Sequence, residues 1–477
     1  NYHALEILQY THKEKIDVIY IDPPYNTGKK KEFKYGDSWI DKNSGYKHSY
    51  WLSFMNKRLE IGKNLLSKDG LIFISIDENE YARLKLLCDD IFTSSNFIGS
   101  FVKKISGGKN DSKTIKVNHE YLLCYKRTEK ATIHLNIEYT KKDETRSLQK
   151  DGDNEERFNR ENLWYPIYAN IKTKEISLEF KKDMIEIFPI KNDGLERYWR
   201  WEYDTAIKRI DELRLTKTKF DDGKIKYDIG VFTPKGTRKE LPWNSFISDF
   251  SAGGGTQLKE VLGKKIPGMY PKNLDYIKWI CNLSVKKNPI ILDFFAGSGT
   301  TGQALEELKK DISSHIENPK YILITNNENN ICEEVCYQRI KKANEKYNYN
   351  SNLEYLKTEL LKYDSQKHSD LDIKEFMVDK LIEIIKVREA CFKLDEINKF
   401  LLKFAHINKS VYVLQDIYKM KKNDYDEVVS ILKDDEKDKI NIYILSMSNH
   451  EHYINKISKA HNNYKVILKP GFNRLNS

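Results

Sequence analysis

The chain has 477 residues, with 81 lysines and arginines against 71 aspartates and glutamates, so its formal net charge is +10. At about 100–200 residues per domain we expect two to four domains, and a chain with 12% aromatic residues is not mainly disordered. No apolar run reaches the roughly 18 residues of a membrane helix, and six scattered cysteines favour a reducing, cytoplasmic location. The excess positive charge is a weak indication of a polyanionic partner. Asn1 lies inside an amphipathic segment, so we expect the chain to lack its original N-terminus.

The first section alternates apolar runs with a helical pattern. Residues 16–21 (IDVIYI) form a β-branched run that stops at two prolines and a glycine, which is typical of a buried parallel strand entering a loop. Helical spacing over 51–66 and a second apolar run at 71–76 complete a βαβ unit, and 119–125 (HEYLLCY) predicts another strand. We therefore predict one half of an α/β core over residues 1–127.

The pattern changes in the middle of the chain. Between residues 128 and 245 the strand–helix alternation fades, and four of the seven tryptophans lie there, which predicts a separate, inserted domain. The α/β rhythm returns over 246–347, with strands at 290–295 and 321–325 and helices after each. Apolar runs with helices between them predict a small α/β domain over 348–477.

A glycine-rich turn, residues 293–302 (DFFAGSGTTG), follows one predicted strand and opens a helix. Glycines let the backbone approach a ligand closely and leave a helix N-terminus open to it. Gly297, Gly299 and Gly302 also spell the GxGxxG of dinucleotide sites. In a nicotinamide site, however, the glycines follow the strand directly, whereas here Asp293 and two phenylalanines intervene. Taken by itself, the pattern is also compatible with a glycine-rich turn that binds no ligand.

The second informative turn is Asp22-Pro23-Pro24-Tyr25. Consecutive prolines restrict φ and donate no hydrogen bonds, so the turn is rigid and its carbonyl oxygens stay free as acceptors. A carboxylate, a carbonyl oxygen and an aromatic ring thus share one stiff support. A purely structural proline-rich loop is the alternative.

Together the two turns resemble a known family. Asp22 to Tyr25 resembles the catalytic tetrapeptide of amino-methylating DNA methyltransferases, and residues 293–301 resemble the S-adenosylmethionine motif of class I methyltransferases. The tetrapeptide comes first, which is the permuted order of the β class of adenine-N6 and cytosine-N4 enzymes. The resemblance implies a class I α/β core with a mainly parallel, doubly wound, circularly permuted sheet. It also implies a target-recognition domain inserted at 128–245, ahead of the small C-terminal α/β domain that the apolar runs predict at 348–477.

The resemblance further implies roles for single residues. Asp22 and the Pro23 carbonyl oxygen would grip the hydrogens of the target amine, with Pro24 in the same rigid turn, and Tyr25 would stack on a base turned out of the duplex. No metal is implied, because a sulfonium donor is already activated and positioning supplies much of the catalysis. The residues expected to bind S-adenosylmethionine are Asp293, Phe295, Ala296, Gly297, Ser298, Gly299 and Thr300, with Lys272 at its methionine end and Asn327 or Glu328 at its ribose.

Within this class the chain most resembles modification subunits of type III restriction–modification systems, through residues 22–28 (DPPYNTG), 162–168, 196–201 and 326–333. Solitary methyltransferases share much of the same sequence, so this resemblance is less specific than that of the two turns. It implies double-stranded DNA as substrate, a homodimer and a separate helicase–nuclease restriction subunit as a further partner, with residues 348–477 serving either homodimerisation or docking of that subunit. Adenine-N6 is favoured over cytosine-N4, because serine is commoner than aspartate at the first motif position of the cytosine enzymes. The alternatives are a solitary adenine methyltransferase, a nicotinamide oxidoreductase, and a DNA-binding specificity subunit that has lost catalysis.

Basic residues outside the two turns are weaker candidates for DNA contacts. One group flanks a glycine pair and could grip phosphates, although a solvated charged loop explains it equally well: Lys103, Lys104 and Lys109. A second possible phosphate-contacting stretch lies in the middle section: Lys235, Arg238 and Lys239.

Overall fold

The structure is a computed structural model that describes residues 1–27, 45–105, 114–150, 160–191, 194–220, 223–248, 250, 253–358, 380, 382–389, 391, 393–405, 409–414, 420–435, 440–445 and 464–469. These residues belong to two compact units. The first combines Asn1–His134 with Asn244–Ser477, and the second is Leu135–Trp243. Within the described ranges, no helix is both long enough and apolar enough to cross a bilayer.

The described strands, in chain order, are β1 (Ile16–Ile21), β2 (Leu66–Ile76), β3 (Phe97–Lys104), β4 (His119–Lys126), β5 (Asn136–Tyr139), β6 (Glu144–Ser147), β7 (Ile167–Ala169), β8 (Ile176–Ser177), β9 (Ile185–Ile187), β10 (Leu213–Lys219), β11 (Ile225–Thr233), β12 (Arg238–Leu241), β13 (Phe246–Ile247), β14 (Ile290–Asp293), β15 (Lys320–Leu323), β16 (Lys393–Asn398), β17 (Leu401–Ala405), β18 (Ser410–Leu414), β19 (Ile440–Leu445) and β20 (Tyr464–Lys469). The α-helices are α1 (Tyr2–His12), α2 (Lys47–Leu65), α3 (Tyr81–Phe92), α4 (Tyr203–Lys208), α5 (Gly254–Leu262), α6 (Leu274–Asn282), α7 (Thr300–Lys310), α8 (Tyr337–Tyr347) and α9 (Lys422–Lys433), and residues 382–389 are also helical. A π-helix, Ile331–Cys336, leads directly into α8.

The central sheet of the first unit has the strand order β13-β3-β4-β2-β1-β14-β15. Neighbouring strands are parallel except at β4, which runs antiparallel to both β2 and β3. The chain crosses from β1 through α2 to β2 in one direction, and from β14 through α7 to β15 in the other. Because such crossovers are right-handed, α2 and α7 cover opposite faces of the sheet. The predicted α/β class with a mainly parallel, doubly wound sheet is confirmed.

Burial explains why the first elements form where they do. Every side chain of β1 is buried except that of Asp17, as expected for a central strand covered on both faces. On α2, Trp51, Met55 and Leu59 follow one another at helical spacing, are fully buried, and belong to the same core cluster as β1. The apolar stripe of the helix therefore packs against the sheet.

Strand β2 begins earlier than the prediction of 71–76, directly after α2 ends. Leu66 already pairs with Ile16 at the start of β1, and the register then shifts before the regular ladder. A Cβ on Gly70 would come within 3.0 Å of the Ile16 carbonyl oxygen, so glycine permits the close approach of the two strands. This pairing partner is distant in sequence, which is why the local pattern did not reveal it.

The described residues of the second unit form three small sheets, ordered β10-β11-β6, β12-β5 and β8-β7-β9. Trp199 is fully buried in its core and donates its indole N–H to the Tyr165 carbonyl oxygen at 2.8 Å. Other aromatic residues of the segment pack around the same cluster, among them Trp201 and Tyr227. Much of the aromatic content of this segment therefore forms its own core.

The last described strands form a five-stranded sheet in the order β16-β17-β18-β19-β20. The first three are antiparallel, and β18, β19 and β20 are parallel. Helix α9 lies between β18 and β19 in the chain and packs Val428 and Leu432 into the core of this sheet. The C-terminal section is thus a small α/β assembly, as its apolar runs predicted.

Candidate active site

The two turns meet at one edge of the central sheet. β1 and β14 are parallel neighbours with Ile19 opposite Leu292, so Asp22, just after β1, and Asp293, the last residue of β14, lie at the same carboxyl edge. The crossovers from these two strands run in opposite directions, which makes this edge a topological switch point. Ligands of open α/β sheets bind in the crevice at such points.

Side chains from α2 and from the turn before α3 hold the tetrapeptide loop. Trp51 donates its indole N–H to the Pro24 carbonyl oxygen at 2.7 Å. Asn26 adopts a left-handed φ of 58°, and its side-chain amide donates to Glu80 Oε1 at 2.5 Å. The ring nitrogen Nδ1 of His48 hydrogen-bonds the same oxygen of this fully buried carboxylate. The loop after β1 is therefore anchored on both sides of Tyr25.

A charged cluster, made of Asp22, Tyr25, Lys103, Glu120 and Lys272, surrounds the first residue of the tetrapeptide. The Tyr25 hydroxyl donates to Asp22 Oδ1 at 2.7 Å. The Lys272 ammonium lies 3.2 Å from Asp22 Oδ1, 2.7 Å from Glu120 Oε2 and 2.6 Å from the Tyr25 hydroxyl. On the far side of Glu120, Lys103 contacts Oε1 at 2.8 Å. Four segments of the chain, distant in sequence, thus supply one network.

The charges of this cluster support one another. Burial pushes the pKa of Glu120 upward, but Lys272 and Lys103 outweigh it and hold that pKa at about 2. Burial likewise opposes the charged form of Lys272, yet Asp22 and Glu120 raise its pKa above the usual value. Burial raises the pKa of Asp22, and Lys272 acts against that shift. Burial and the two carboxylates raise the pKa of Tyr25, so its hydroxyl stays protonated as a donor.

The glycine-rich turn is organised around Asp293. Its carboxylate accepts the Phe295 backbone N–H at 3.0 Å and the Thr301 hydroxyl at 2.6 Å. Gly297 and Gly299 have left-handed φ values of 50° and 77°, which glycine adopts without strain. A Cβ on Gly297 would meet only the Phe295 carbonyl oxygen, at 3.8 Å, so the turn leaves open space on that side.

Arg339 of α8 holds the same turn through hydrogen bonds. The sequence analysis did not identify this residue. It is fully buried and donates from Nη1 to the hydroxyls of Thr300 at 2.6 Å and Ser298 at 3.2 Å. Its Nε donates to Gln303 Oε1 at 2.7 Å. Burial lowers its pKa to about 10, which leaves the guanidinium charged at neutral pH. The signal that could have revealed it is an arginine on the buried face of a predicted helix.

At the end of β15, Asn327 and Glu328 differ in what they contact. Asn327 Oδ1 accepts the backbone N–H groups of Cys332 and Glu333, each at 3.2 Å, and so caps the start of the π-helix. Glu328 is exposed, and Asn326 donates to it at 3.4 Å. Because the Asn327 oxygen is already engaged in a cap, the Glu328 carboxylate is the better acceptor for a ribose.

The basic candidates differ in exposure and in what they contact. Lys103 is buried in the charged cluster and lies 4.5 Å from the centre of the Tyr276 ring, so it cannot grip a phosphate from this position. Lys104 is exposed, and Lys109 lies outside the described residues. In the second unit Lys235 is exposed and the other two candidates pair with carboxylates, Arg238 with Glu240 at 2.8 Å and Lys239 with Glu144 at 3.2 Å.

Comparison with known proteins decides the family. A family model described as DNA methylase (N6_N4_Mtase) matches residues 16–337, which include both turns. The chain belongs to this DNA methylase family. The match confirms the sequence-based family assignment and removes the nicotinamide oxidoreductase from the alternatives.

Several curated relatives are similar to this methylase. The type II methyltransferase M.KpnI of Klebsiella pneumoniae is 35% identical over 311 residues, covering 63% of this chain and 73% of that protein. The EcoPI Mod subunit of Escherichia phage P1, from a type III restriction-modification enzyme, is 29% identical over 359 residues. The StyLTI Mod subunit of Salmonella typhimurium is 30% identical over 332 residues. The alignments span 54% and 49% of these two Mod subunits, about half of their length.

Among solved structures, PvuII DNA methyltransferase (cytosine-N4-specific) aligns with a TM-score of 0.36 at 12% identity, over 72% of this chain and 89% of that one. A similarity at this level adds nothing to the family assignment. The residues at the switch point nevertheless fit the cationic donor that the family uses. Gly297 leaves open space in the turn after β14, and Asp22 follows the neighbouring strand at the same edge. A sulfonium cation is stabilised by nearby negative charge such as the Asp22 carboxylate.

Proposed function

We propose that this methylase transfers a methyl group from S-adenosylmethionine to the N6 amine of adenine in double-stranded DNA. The observation that carries the proposal is the position of the Asp22–Tyr25 turn beside the Asp293 turn at one switch point. An acceptor pair for an amine and a glycine-rich turn for a donor are thereby neighbours, although most of the core separates them in sequence.

In this proposal the chain supplies acceptors and a stacking surface. The exocyclic amine of adenine is a poor nucleophile because its lone pair is delocalised into the ring. Asp22 and the Pro23 carbonyl oxygen accept the amine hydrogens and favour the geometry in which the lone pair is available. Tyr25 stacks on the base after it leaves the duplex, and the Pro24 carbonyl oxygen, held by Trp51 at 2.7 Å, keeps the turn in place.

The bound donor supplies a methyl group on a sulfonium sulfur, which keeps the C–S bonding electrons and leaves as a neutral thioether when the amine lone pair forms the N–C bond. The amine then carries one proton too many. Asp22 is the nearest acceptor for that proton, and it passes the proton on to solvent. The donor-binding residues that we propose are Asp293, Phe295, Ala296, Gly297, Ser298, Gly299 and Thr300, with Glu328 or Asn327 at the ribose and Lys272 at the boundary with the target amine.

We also propose that the chain serves as the modification subunit of a type III system. The Mod subunits among its relatives and the residues at 22–28 support this. In that arrangement residues 128–245 recognise the target, residues 348–477 mediate homodimerisation or docking of a restriction subunit, and Lys104, Lys109, Lys235, Arg238 and Lys239 contribute phosphate contacts. Light scattering of the purified chain tests the dimer, and a monomeric mass at working concentration would contradict it.

Sequencing of methylated bases in DNA from a host that expresses the chain tests the main proposal. We expect N6-methyladenine at one sequence motif, and its absence from a host that expresses Asp22→Ala. N4-methylcytosine in place of N6-methyladenine would overturn the choice of base. No new methylation with a folded, donor-binding wild-type chain would overturn the proposed activity.

A further inference from the structure

Asp22 stands in a crowded electrostatic environment. The carboxylate of Glu120 on β4 acts against the ionisation of Asp22, and Asp22 in turn raises the pKa of Asp293 at the end of β14. Burial acts in the same direction. If Asp22 were protonated, one of its oxygens would donate a hydrogen bond and could not accept a hydrogen from the target amine. The proposed chemistry therefore needs something that keeps Asp22 charged.

The remaining titratable neighbours of Asp22 cannot supply positive charge. Tyr20 on β1, Tyr25 in the loop and Tyr276 on α6 interact with it, and burial raises the pKa of all three, so they stay neutral. Among the described residues, the cation in contact with Asp22 is Lys272, at 3.2 Å. Lys272 lies just before α6 in the chain, and its ammonium reaches Asp22 at the end of β1.

Two further residues determine where the Lys272 ammonium lies. Glu120 Oε2 holds it at 2.7 Å, closer than Asp22 does, and the Tyr25 hydroxyl accepts from it at 2.6 Å. Lys103 contacts the other oxygen of Glu120 at 2.8 Å, so Glu120 is itself fixed from both sides. Lys272 is thus held beside Asp22 mainly by another carboxylate, which leaves Asp22 able to accept from a substrate amine.

Building on the proposed function, we propose that Lys272 is a positioning residue that keeps Asp22 a carboxylate for the target amine, while Glu120 and Lys103 hold its ammonium in place. Lys272 then acts on the target-amine side of the site. This differs from a role restricted to the methionine end of the donor, and the two roles give different results in one set of measurements.

The test is the pH dependence of kcat/KM for unmethylated genomic DNA, with radiolabelled S-adenosylmethionine at saturation, from about pH 5 to about pH 9. The acidic limb of this profile is the pH range in which activity falls as Asp22 becomes protonated. Lys272→Met removes the positive charge beside Asp22, so the acidic limb should move to higher pH by about 1–3 pH units. Activity should recover toward the wild-type level at high pH. Lys272→Arg keeps the charge and should leave the limb near its wild-type position, whatever its absolute rate.

Two more variants make the sign of the shift informative. Glu120→Gln removes a negative charge near Asp22 and leaves Lys272 with Asp22 as its carboxylate partner, so the limb should stay in place or move to lower pH. Lys278→Met is the matched control, because Lys278 on α6 also pairs with two carboxylates, Asp275 at 2.6 Å and Glu307 at 3.0 Å. It should leave the limb unchanged.

A uniform loss of activity in Lys272→Met at every pH would overturn the inference, since that is what a structural role produces. A weakened dissociation constant for S-adenosylmethionine with the limb in place would also overturn it, and would assign Lys272 to the donor. Both results presuppose a wild-type chain that methylates DNA. Failure of the proposed function shows in the wild type itself, and failure of this inference shows only in the variants.

Discussion

The hydroxyl of Thr301 in the first turn of α7 donates a 2.6 Å hydrogen bond to Asp293 at the end of β14. The bond closes the glycine-rich turn between the two residues. Burial raises the pKa of Asp293 to about 7, although Thr301 and the Phe295 N–H act against the shift. This carboxyl therefore changes charge near neutral pH in the folded protein.

Replacement of Asp293 by Asn tests this shift through stability. The folded pKa of about 7 lies above the ordinary value of 3.8, so the protonated form favours folding. Its contribution is complete below about pH 4 and is lost as the pH rises to about 7. Urea unfolding of both proteins gives the difference between the unfolding free energy of the wild type and that of Asp293→Asn. This difference should fall by up to about 4 kcal/mol across that range. Asp311→Asn is the control, because Asp311 is exposed and its pKa is lowered, mainly by Ser313. A free-energy difference for Asp293→Asn that does not change with pH would contradict the assignment.

Gly299 combines a left-handed backbone with a tight contact, and a second glycine separates the two effects. Gly299 and Gly263 have the same φ of 77°. A Cβ on Gly299 would lie 3.0 Å from Cys336 Sγ and 3.1 Å from its carbonyl oxygen, whereas Gly263 has nothing within 4 Å. We expect Gly263→Ala to cost about 1–2 kcal/mol of unfolding free energy, and Gly299→Ala to cost more. Only Gly299→Ala should weaken S-adenosylmethionine binding in calorimetry, and equal losses in both variants would refute the steric argument.

Glu80 should matter for catalysis although it does not face the substrate. It is fully buried and accepts from Asn26 and His48, which hold the loop that carries the tetrapeptide. Glu80→Ala should lower the methylation rate by up to about 100-fold, because small displacements of reacting groups are costly. Donor affinity should change little. Glu78→Ala, two residues away and exposed, should behave as wild type, and normal turnover by Glu80→Ala would exclude the anchoring role.

Adjacent lysines on β3 provide a matched pair for DNA binding. Lys104 is exposed, whereas Lys103 is buried against Glu120. If Lys104 contacts a phosphate, Lys104→Ala should reduce the slope of log affinity against log salt by about 0.9. Lys103→Ala should leave that slope unchanged and lower the unfolding free energy by about 3–5 kcal/mol, because it removes one partner of a buried ion pair. Salt-dependent fluorescence anisotropy with a labelled duplex measures the slope, and an unchanged slope for Lys104→Ala would remove it from the interface.

The features that could be predicted from the sequence alone are those that depend on local chemistry. Prolines and glycines act on the backbone at their own positions, so the turns at Asp22–Tyr25 and 293–302 were visible without a fold. Strand and helix periods are equally local, and they predicted the mainly parallel α/β core and the strands that carry both turns. These features were sufficient for the family, which the match over residues 16–337 confirmed.

Only the tertiary structure decided what surrounds Asp22. In the sequence Glu120 is simply a residue of the predicted strand 119–125, and Lys272 was expected at the methionine end of the donor. Nothing in the local sequence indicates that the two side chains meet. Their contact at 2.7 Å depends on the order β4-β2-β1-β14 and on the path of the chain before α6. Strand order is set by non-local pairing, and buried ion pairs form where the fold brings distant segments together. The sequence alone therefore determined which residues form the two turns, and the fold determined which charges act on them.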